Sequence, residues 1–218
     1  STLSSSSAAS DVYKRQAFIR LNGETVGAVA NQPVDGESVL TRNGLEKAER
    51  FIKFCDAFSI PLLTVTNVTG LRANAHEERK QALALAKFTT TLAQVSVPRI
   101  NLIAGEAYGT AAEVMNSKAI GADFVLAWPQ ASVGMMDAEQ AVRIMYAEEI
   151  NTDKNKTALI AEKTAEYAEG QSSALAAAKR GYIDDIIEPD ATRKRLIAAY
   201  EMLYGKKVTP VTKKHTAV

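Results

Sequence analysis

Gly109, Thr110, Ala111 and Ala112 follow a short apolar run, Ile100 to Ala104, and open a segment in which small and apolar residues recur at helical spacing. The first turn of a helix carries N–H groups with no intrahelical partner and the positive end of the macrodipole. With a glycine and small side chains in that turn, a ligand oxygen can approach the backbone closely. The chemistry on offer is that of an oxyanion pocket, where loss of one donor raises a barrier by roughly 3–4 kcal/mol. Small residues opening a helix after a strand are also ordinary packing in an α/β layer, so the local pattern leaves both readings open. Glu113, one turn into the same helix, is a carboxylate that the dipole favours. Tyr108 borders the turn, either as a wall of the pocket or as packing.

The remaining candidates offer less. Cys55 shares a helical face with Leu45, Ala48, Phe51, Ile52 and Phe58. No cation or histidine accompanies it, so it reads as a core residue rather than a nucleophile. His76 and His215 are too far apart for a familiar metal-ligand spacing, and no metal is expected. His76, beside Glu77 and Glu78, reads as a surface helix start, Asp137 as a helix cap, and Trp128 before Pro129 as core.

Composition narrows the classes of function. The 218 residues are 46% hydrophobic and 23% charged with a net charge of +1, the balance of a one-domain globular protein. No long basic run favours nucleic acid or an anionic membrane, and Lys206, Lys207, Lys213 and Lys214 read as a solvated end. No apolar run approaches the ~18–20 residues of a bilayer span, so no direct membrane insertion is expected. The N-terminus shows no signal-peptide pattern. One cysteine excludes an internal disulfide and points to a reducing, cytoplasmic compartment.

The elements that must position the turn can be read in order. Residues 1–16 are Ser-rich, then mixed, and read as a disordered lead or a cloning scar, with the natural chain expected to begin upstream. The fold is expected over 17–205, followed by a polar tail over 206–218. Phe18 to Leu21 and Thr25 to Ala30 flank Asn22-Gly23, a hairpin signal. Asn31 to Asn43 reads as a loop, Leu45 to Phe58 as a helix and Leu62 to Thr66 as a strand. Asn67 to Ala75 is then a loop holding Gly70 and Leu71, and Glu77 to Gln94 a long helix. A strand over Ile100 to Ala104, a turn, a helix from Gly109 ending at Gly121, and a strand over Asp123 to Trp128 follow. Beyond lie short strands at Ser132 to Met135 and Ile183 to Ile187, and helices after Asp137, over Thr157 to Tyr167, Ser173 to Lys179 and Thr192 to Tyr204. Strands alternating with helices predict an α/β layer of mainly parallel strands, with ligands beyond their carboxyl ends, where the Gly70 and Gly109 turns fall.

Several separated segments, in this order, resemble the carboxyltransferase subunit of biotin-dependent acyl-CoA carboxylases and decarboxylases, a family that includes propionyl-CoA carboxylase β and methylmalonyl-CoA decarboxylase α. They are Val26-Gly-Ala-Val-Ala-Asn-Gln-Pro, Phe51-Ile-Lys-Phe-Cys-Asp-Ala-Phe-Ser-Ile-Pro-Leu, Val97-Pro-Arg and Ala107-Tyr-Gly-Thr-Ala. Ala127-Trp-Pro, Gly181-Tyr-Ile-Asp-Asp-Ile-Ile-Glu-Pro and Lys214-His215 complete the set. The resemblance covers residues 17–218 and the C-terminal half of the family's chain. It implies a crotonase-like (ClpP/crotonase) fold, a layered, mainly parallel sheet with flanking helices. It also implies biotin on a carrier protein as the cofactor, with the ureido oxygen held as an enolate by backbone N–H groups of this half. The biotin nitrogen then takes the α-proton of an acyl-CoA bound by the N-terminal half of a partner subunit, so neither a side-chain base nor a metal is required. The family's Gly-Ala donors fall on Thr110 and Ala111, and the Gly70–Leu71 loop faces them across the pocket. A homo-oligomer is implied as well.

Departures from the family pattern matter. Thr110 stands where glycine is common, which requires a negative, helical φ there. Ala112 replaces a frequent aromatic and should widen the site. Glu113 corresponds to a position near the acyl pocket, so it reads either as a substrate-choosing group or as a helix charge facing water. The loop after Gly70, Leu71-Arg-Ala-Asn-Ala-His-Glu-Glu, departs from the family's, so the identity of the acyl-CoA does not carry over. Two further readings remain open from sequence. One is a free-standing enoyl-CoA hydratase or isomerase with Glu113 as general acid/base; the other is a non-catalytic structural subunit of a carboxylase assembly.

Overall fold

A computed structural model describes residues 14–31, 33 and 38–208. Strands β1 (Lys14–Leu21) and β2 (Glu24–Asn31) form an antiparallel hairpin. Its two-residue turn requires positive φ at both positions, and Asn22 and Gly23 supply 49° and 87°. After β3 (Val39–Leu40), Thr41 caps α1 (Arg42–Ala57) by accepting the Gly44 N–H at 3.1 Å. Then come β4 (Leu62–Val68), β5 (Gly70–Leu71), α2 (Ala75–Gln94), β6 (Arg99–Tyr108) and α3 (Gly109–Val114). A 3-10 turn at Lys118–Ile120 leads to β7 (Phe124–Ala127), β8 (Ser132–Gly134), α4 (Ala138–Met145), α5 (Ala147–Thr152) and α6 (Lys156–Tyr167). A π-helical segment at Ala168–Ser172 precedes α7 (Ala174–Lys179), β9 (Asp185–Ile186) and α8 (Thr192–Leu203).

The large sheet runs β1-β2-β4-β6-β7-β9, with β8 also on β6, and every joint except β1–β2 is parallel. β3 and β5 form a separate parallel pair. A parallel sheet needs cover on both faces. On one face α1, α2 and α3 bury Leu45, Ile52, Phe88, Leu92, Val114 and Met115; on the other α8 buries Leu196, Ala199 and Tyr200 against Leu63, Ile100 and Leu126. The expected mainly parallel layer flanked by helices is what forms.

Local expectations differ in places, each for a physical reason. β1 begins at Lys14, before the expected start at Phe18, because residues 14–17 pair with Ala28 to Asn31. β3 and β5 lie in segments expected to be loops; two-residue strands carry no periodicity to read. The expected turn between Ala104 and Gly109 is strand, since β6 continues to Tyr108 by pairing with β8. The single helix expected from Gly109 to Gly121 is interrupted at Asn116, which is fully buried at φ 60°. Asparagine tolerates that left-handed conformation, and there its Nδ2 donates to Thr64 Oγ1 at 3.2 Å. Thr64 and Thr66 in turn donate to Asn101 Oδ1 at 3.0 and 2.8 Å. Lys206 is not a solvated end: it donates to Asp123 Oδ2 at 2.8 Å and to the Val97 carbonyl at 3.2 Å. His215 and the His76 side chain lie outside the described residues.

Cys55 is buried in the α1 core, and burial pushes its thiol up to about 11 from an ordinary value of 9.0. A raised thiol pKa favours the folded state below pH 9, and that contribution is lost as pH rises from 9 towards 11. A maleimide or disulfide reagent at pH 8 is therefore expected to leave the native chain unlabelled and to titrate one thiol after unfolding. Stoichiometric labelling of native chain within minutes would contradict the burial.

Candidate active site

The site is built where β6 hands over to α3. Its first residues, Ile100 to Ile103, pair with β7, and its last, Glu106 to Tyr108, with β8. Gly109 then turns at φ 56°, and a Cβ there would stand 3.0 Å from the Met135 carbonyl oxygen, so both conformation and space call for glycine. α3 buries Ala111 and Val114 against the α1–α2 core and leaves Thr110 exposed. Thr110 is absent from the residues at positive φ, so the β-branched side chain sits in the helix without strain. Thr110 and Ala111 lie in the first turn of α3, where N–H groups have no intrahelical acceptor, and no side chain of the Tyr108 cap reaches them.

Both residues line a cavity of about 530 Å³. Gly70 and Leu71 of β5 form one wall and Tyr108 to Ala111 the other, so six of the eight residues singled out from sequence meet here. Thr69, Glu106, Met135, Met136, Asp137 and Gln140 complete the lining. Tyr108 is buried and donates to Ser132 Oγ at 3.0 Å. Burial holds its phenol above the ordinary range, the Ser132 bond opposes this, and the Glu106 and Asp137 carboxylates add to the rise. Asp137 is the cap its position suggests: its Oδ1 accepts the Glu139 and Gln140 N–H groups at 3.0 and 3.2 Å.

Ala112 and Glu113 fall elsewhere. They line a second cavity, about 320 Å³, together with Lys118, Arg180 and Tyr182. Gly109 and Met135 line both hollows and form the partition between them. Periodicity could not have found Arg180 or Tyr182, which arrive from beyond α7. Asp137 and Gln140 were within reach, because a capped helix directly after a strand points its first turn at the strand ends. A larger hollow of about 660 Å³ lies between α8 and the opposite ends of the strands. Two of its polar groups are committed to structure: Tyr200 donates to the Leu62 carbonyl at 2.6 Å and Lys206 to Asp123. Among the described residues, no group of three or more His, Cys, Asp or Glu is placed to hold a metal, and no helix is long and apolar enough to cross a membrane.

The sequence pattern of the carboxyl transferase domain matches residues 16–218. The chain belongs to the carboxyl transferase domain family. It is 40% identical over 199 residues to a propionyl-CoA carboxylase beta chain of Cereibacter sphaeroides, covering 91% of this chain and 38% of that protein. It is 39% identical over 199 residues to the methylmalonyl-CoA decarboxylase subunit alpha of Propionigenium modestum, with the same coverage of both. Among solved structures, transcarboxylase 12S, a hexamer determined with methylmalonyl-coenzyme A and methylmalonic acid bound, superposes with a TM-score of 0.88 at 36% identity. That match covers 93% of this chain and 39% of the other. The fold is thus the crotonase-like one that the sequence resemblance implies, and the chain spans about two fifths of the length of these carboxyl transferase relatives.

Proposed function

We propose that this chain is the biotin-side half of an acyl-CoA carboxyltransferase, moving a carboxyl group between carboxybiotin on a carrier protein and an acyl-CoA of the propionyl or methylmalonyl type. The observation that carries the reading is that Thr110 and Ala111, neighbours in the first turn of α3 where N–H groups lack intrahelical acceptors, both line the 530 Å³ cavity. Two parallel donors at a helix mouth suit a ligand oxygen on which negative charge develops, and being fixed by the fold they need no reorganisation when it does. Gly109 and the small Ala111 leave room for a flat ureido ring between α3 and the Gly70–Leu71 wall. When bound, biotin supplies the transferable carboxyl group; the chain supplies orientation and the donors.

The other wall of the reaction, an acyl-CoA site, belongs in this reading to an N-terminal half in a partner subunit, so a homo-oligomer is the working form. The names of the relatives support the acyl-CoA class, and the single buried cysteine suits a cytoplasmic setting. Titrating the chain with biotin methyl ester while recording amide resonances tests the proposal. The Thr110 and Ala111 amides are expected to move first and furthest. Saturable binding that leaves them unmoved would sink the assignment.

A further inference from the structure

β4 and β6 lose register just below the cavity. Thr66 faces Ile103, and the next pair is Val68 with Ala107, so Asn67 alone spans Ala104, Gly105 and Glu106. The bulge lies where β6 exchanges β7 for β8 as its neighbour. Asn67 Oδ1 bridges it by accepting the Glu106 N–H at 3.0 Å. Gly105 makes room, since a Cβ there would stand 2.7 Å from that oxygen.

Asn67 is itself held from the far side. Its N–H donates to Asn31 Oδ1 at 2.8 Å, and its carbonyl accepts Asn31 Nδ2 and Ser38 Oγ. Asn31 and Ser38 are both buried. Thr69 to Leu71, just beyond Asn67 and Val68, build one wall of the cavity, and Glu106 with Tyr108 to Ala111 build the other. Asn67 lines neither wall, yet it is bonded to the root of each. Bulges bend and re-aim the strand that carries them, and this one is fixed by a side chain instead of a ladder bond.

We infer that Asn67 is a positioning residue that sets the height of the Glu106–Ala111 backbone against the Thr69–Leu71 wall, and so places the Thr110 and Ala111 N–H groups. The inference rests on the biotin-side reading for its functional meaning and on the bulge for its geometry. Without the Asn67 amide, the Glu106 N–H turns to water and the bulge loses its anchor.

The test compares N67A, N67D, G105A and N67A/G105A in the 218-residue chain, following the Thr110 and Ala111 amide resonances, biotin methyl ester affinity and Tm. N67A is expected to move both resonances and weaken binding about tenfold, as a small misplacement of donors does, while Tm stays within about 3 °C. N67D keeps an acceptor oxygen and is expected to restore resonances and affinity. In N67A/G105A the added Cβ no longer meets Asn67 Oδ1, so Tm recovers relative to G105A while affinity does not. If the alanine and aspartate variants behave alike, or affinity and Tm fall in proportion, Asn67 is merely structural. Absence of biotin binding by the wild-type chain would defeat the biotin-side reading, whereas the amide resonances would still decide the role of Asn67.

Discussion

Ala111→Pro is expected to lower carboxyl transfer about 10²–10³-fold, the loss that follows removal of one oxyanion donor. Proline deletes the N–H without breaking an intrahelical hydrogen bond, because a first-turn N–H has no intrahelical acceptor, and proline's fixed φ is a helical one. Ala111 is only 2% exposed, and a proline biases Thr110 towards extended backbone, so the fold needs its own control. Ala111→Gly removes the side chain, retains the N–H, and is expected to keep most of the activity. Both variants are to be assayed with an acyl-CoA-binding carboxyltransferase half, with Tm measured alongside. Full transfer by the proline variant would mean that the α3 amides do not stabilise the reacting oxygen.

Phe88→Ala carries the largest expected loss of stability, about 3–5 kcal/mol from lost transfer energy and the cavity left behind. Phe88 is fully buried in the cluster that also holds Leu45, Ile52, Leu92 and, from α3, Ala111, Val114 and Met115. Against a total of about 5–15 kcal/mol for a natural domain, that is a large share, and Tm should drop by roughly 6–20 °C. Because α3 leans on this cluster, the variant should also weaken biotin methyl ester binding although it lies outside the cavity lining. Phe88→Leu refills most of the space and should recover both. A Tm within about 2 °C of wild type for Phe88→Ala would show that the cluster collapses around the gap.

Much of this architecture is legible in the sequence, for identifiable reasons. Asn22-Gly23 marks the hairpin because few other pairs accept its φ values. The apolar face Leu45, Ala48, Ile52 and Cys55 marks α1, and Asp137 marks the start of α4. What escapes is decided by contacts distant in sequence. Asn116 breaks the α3 helix to reach Thr64, and β6 outruns its apolar stretch because β8 arrives to pair with it. The same holds at the site. Gly109 to Glu113 read as one continuous helix start, yet Thr110 and Ala111 open on one hollow and Ala112 and Glu113 on another. Side-chain direction around a helix separates neighbours in sequence, and the division falls at Gly109 and at Met135, which comes from the far side of β8.

β6 has consequences for how the chain is made. The hairpin is the one joint of the large sheet that adjacent residues can close, because parallel partners must return through a crossover. The end of β6 acquires its neighbour only when Ser132 to Gly134 have emerged from the ribosome, and Ser132 is bridged in turn to Ser173. A nascent chain halted before Ser173 would own the hairpin and the first helices but not a finished rim around Tyr108. Protease protection of the Glu106–Ala111 segment should therefore come late in translation, well after that of β1 and β2.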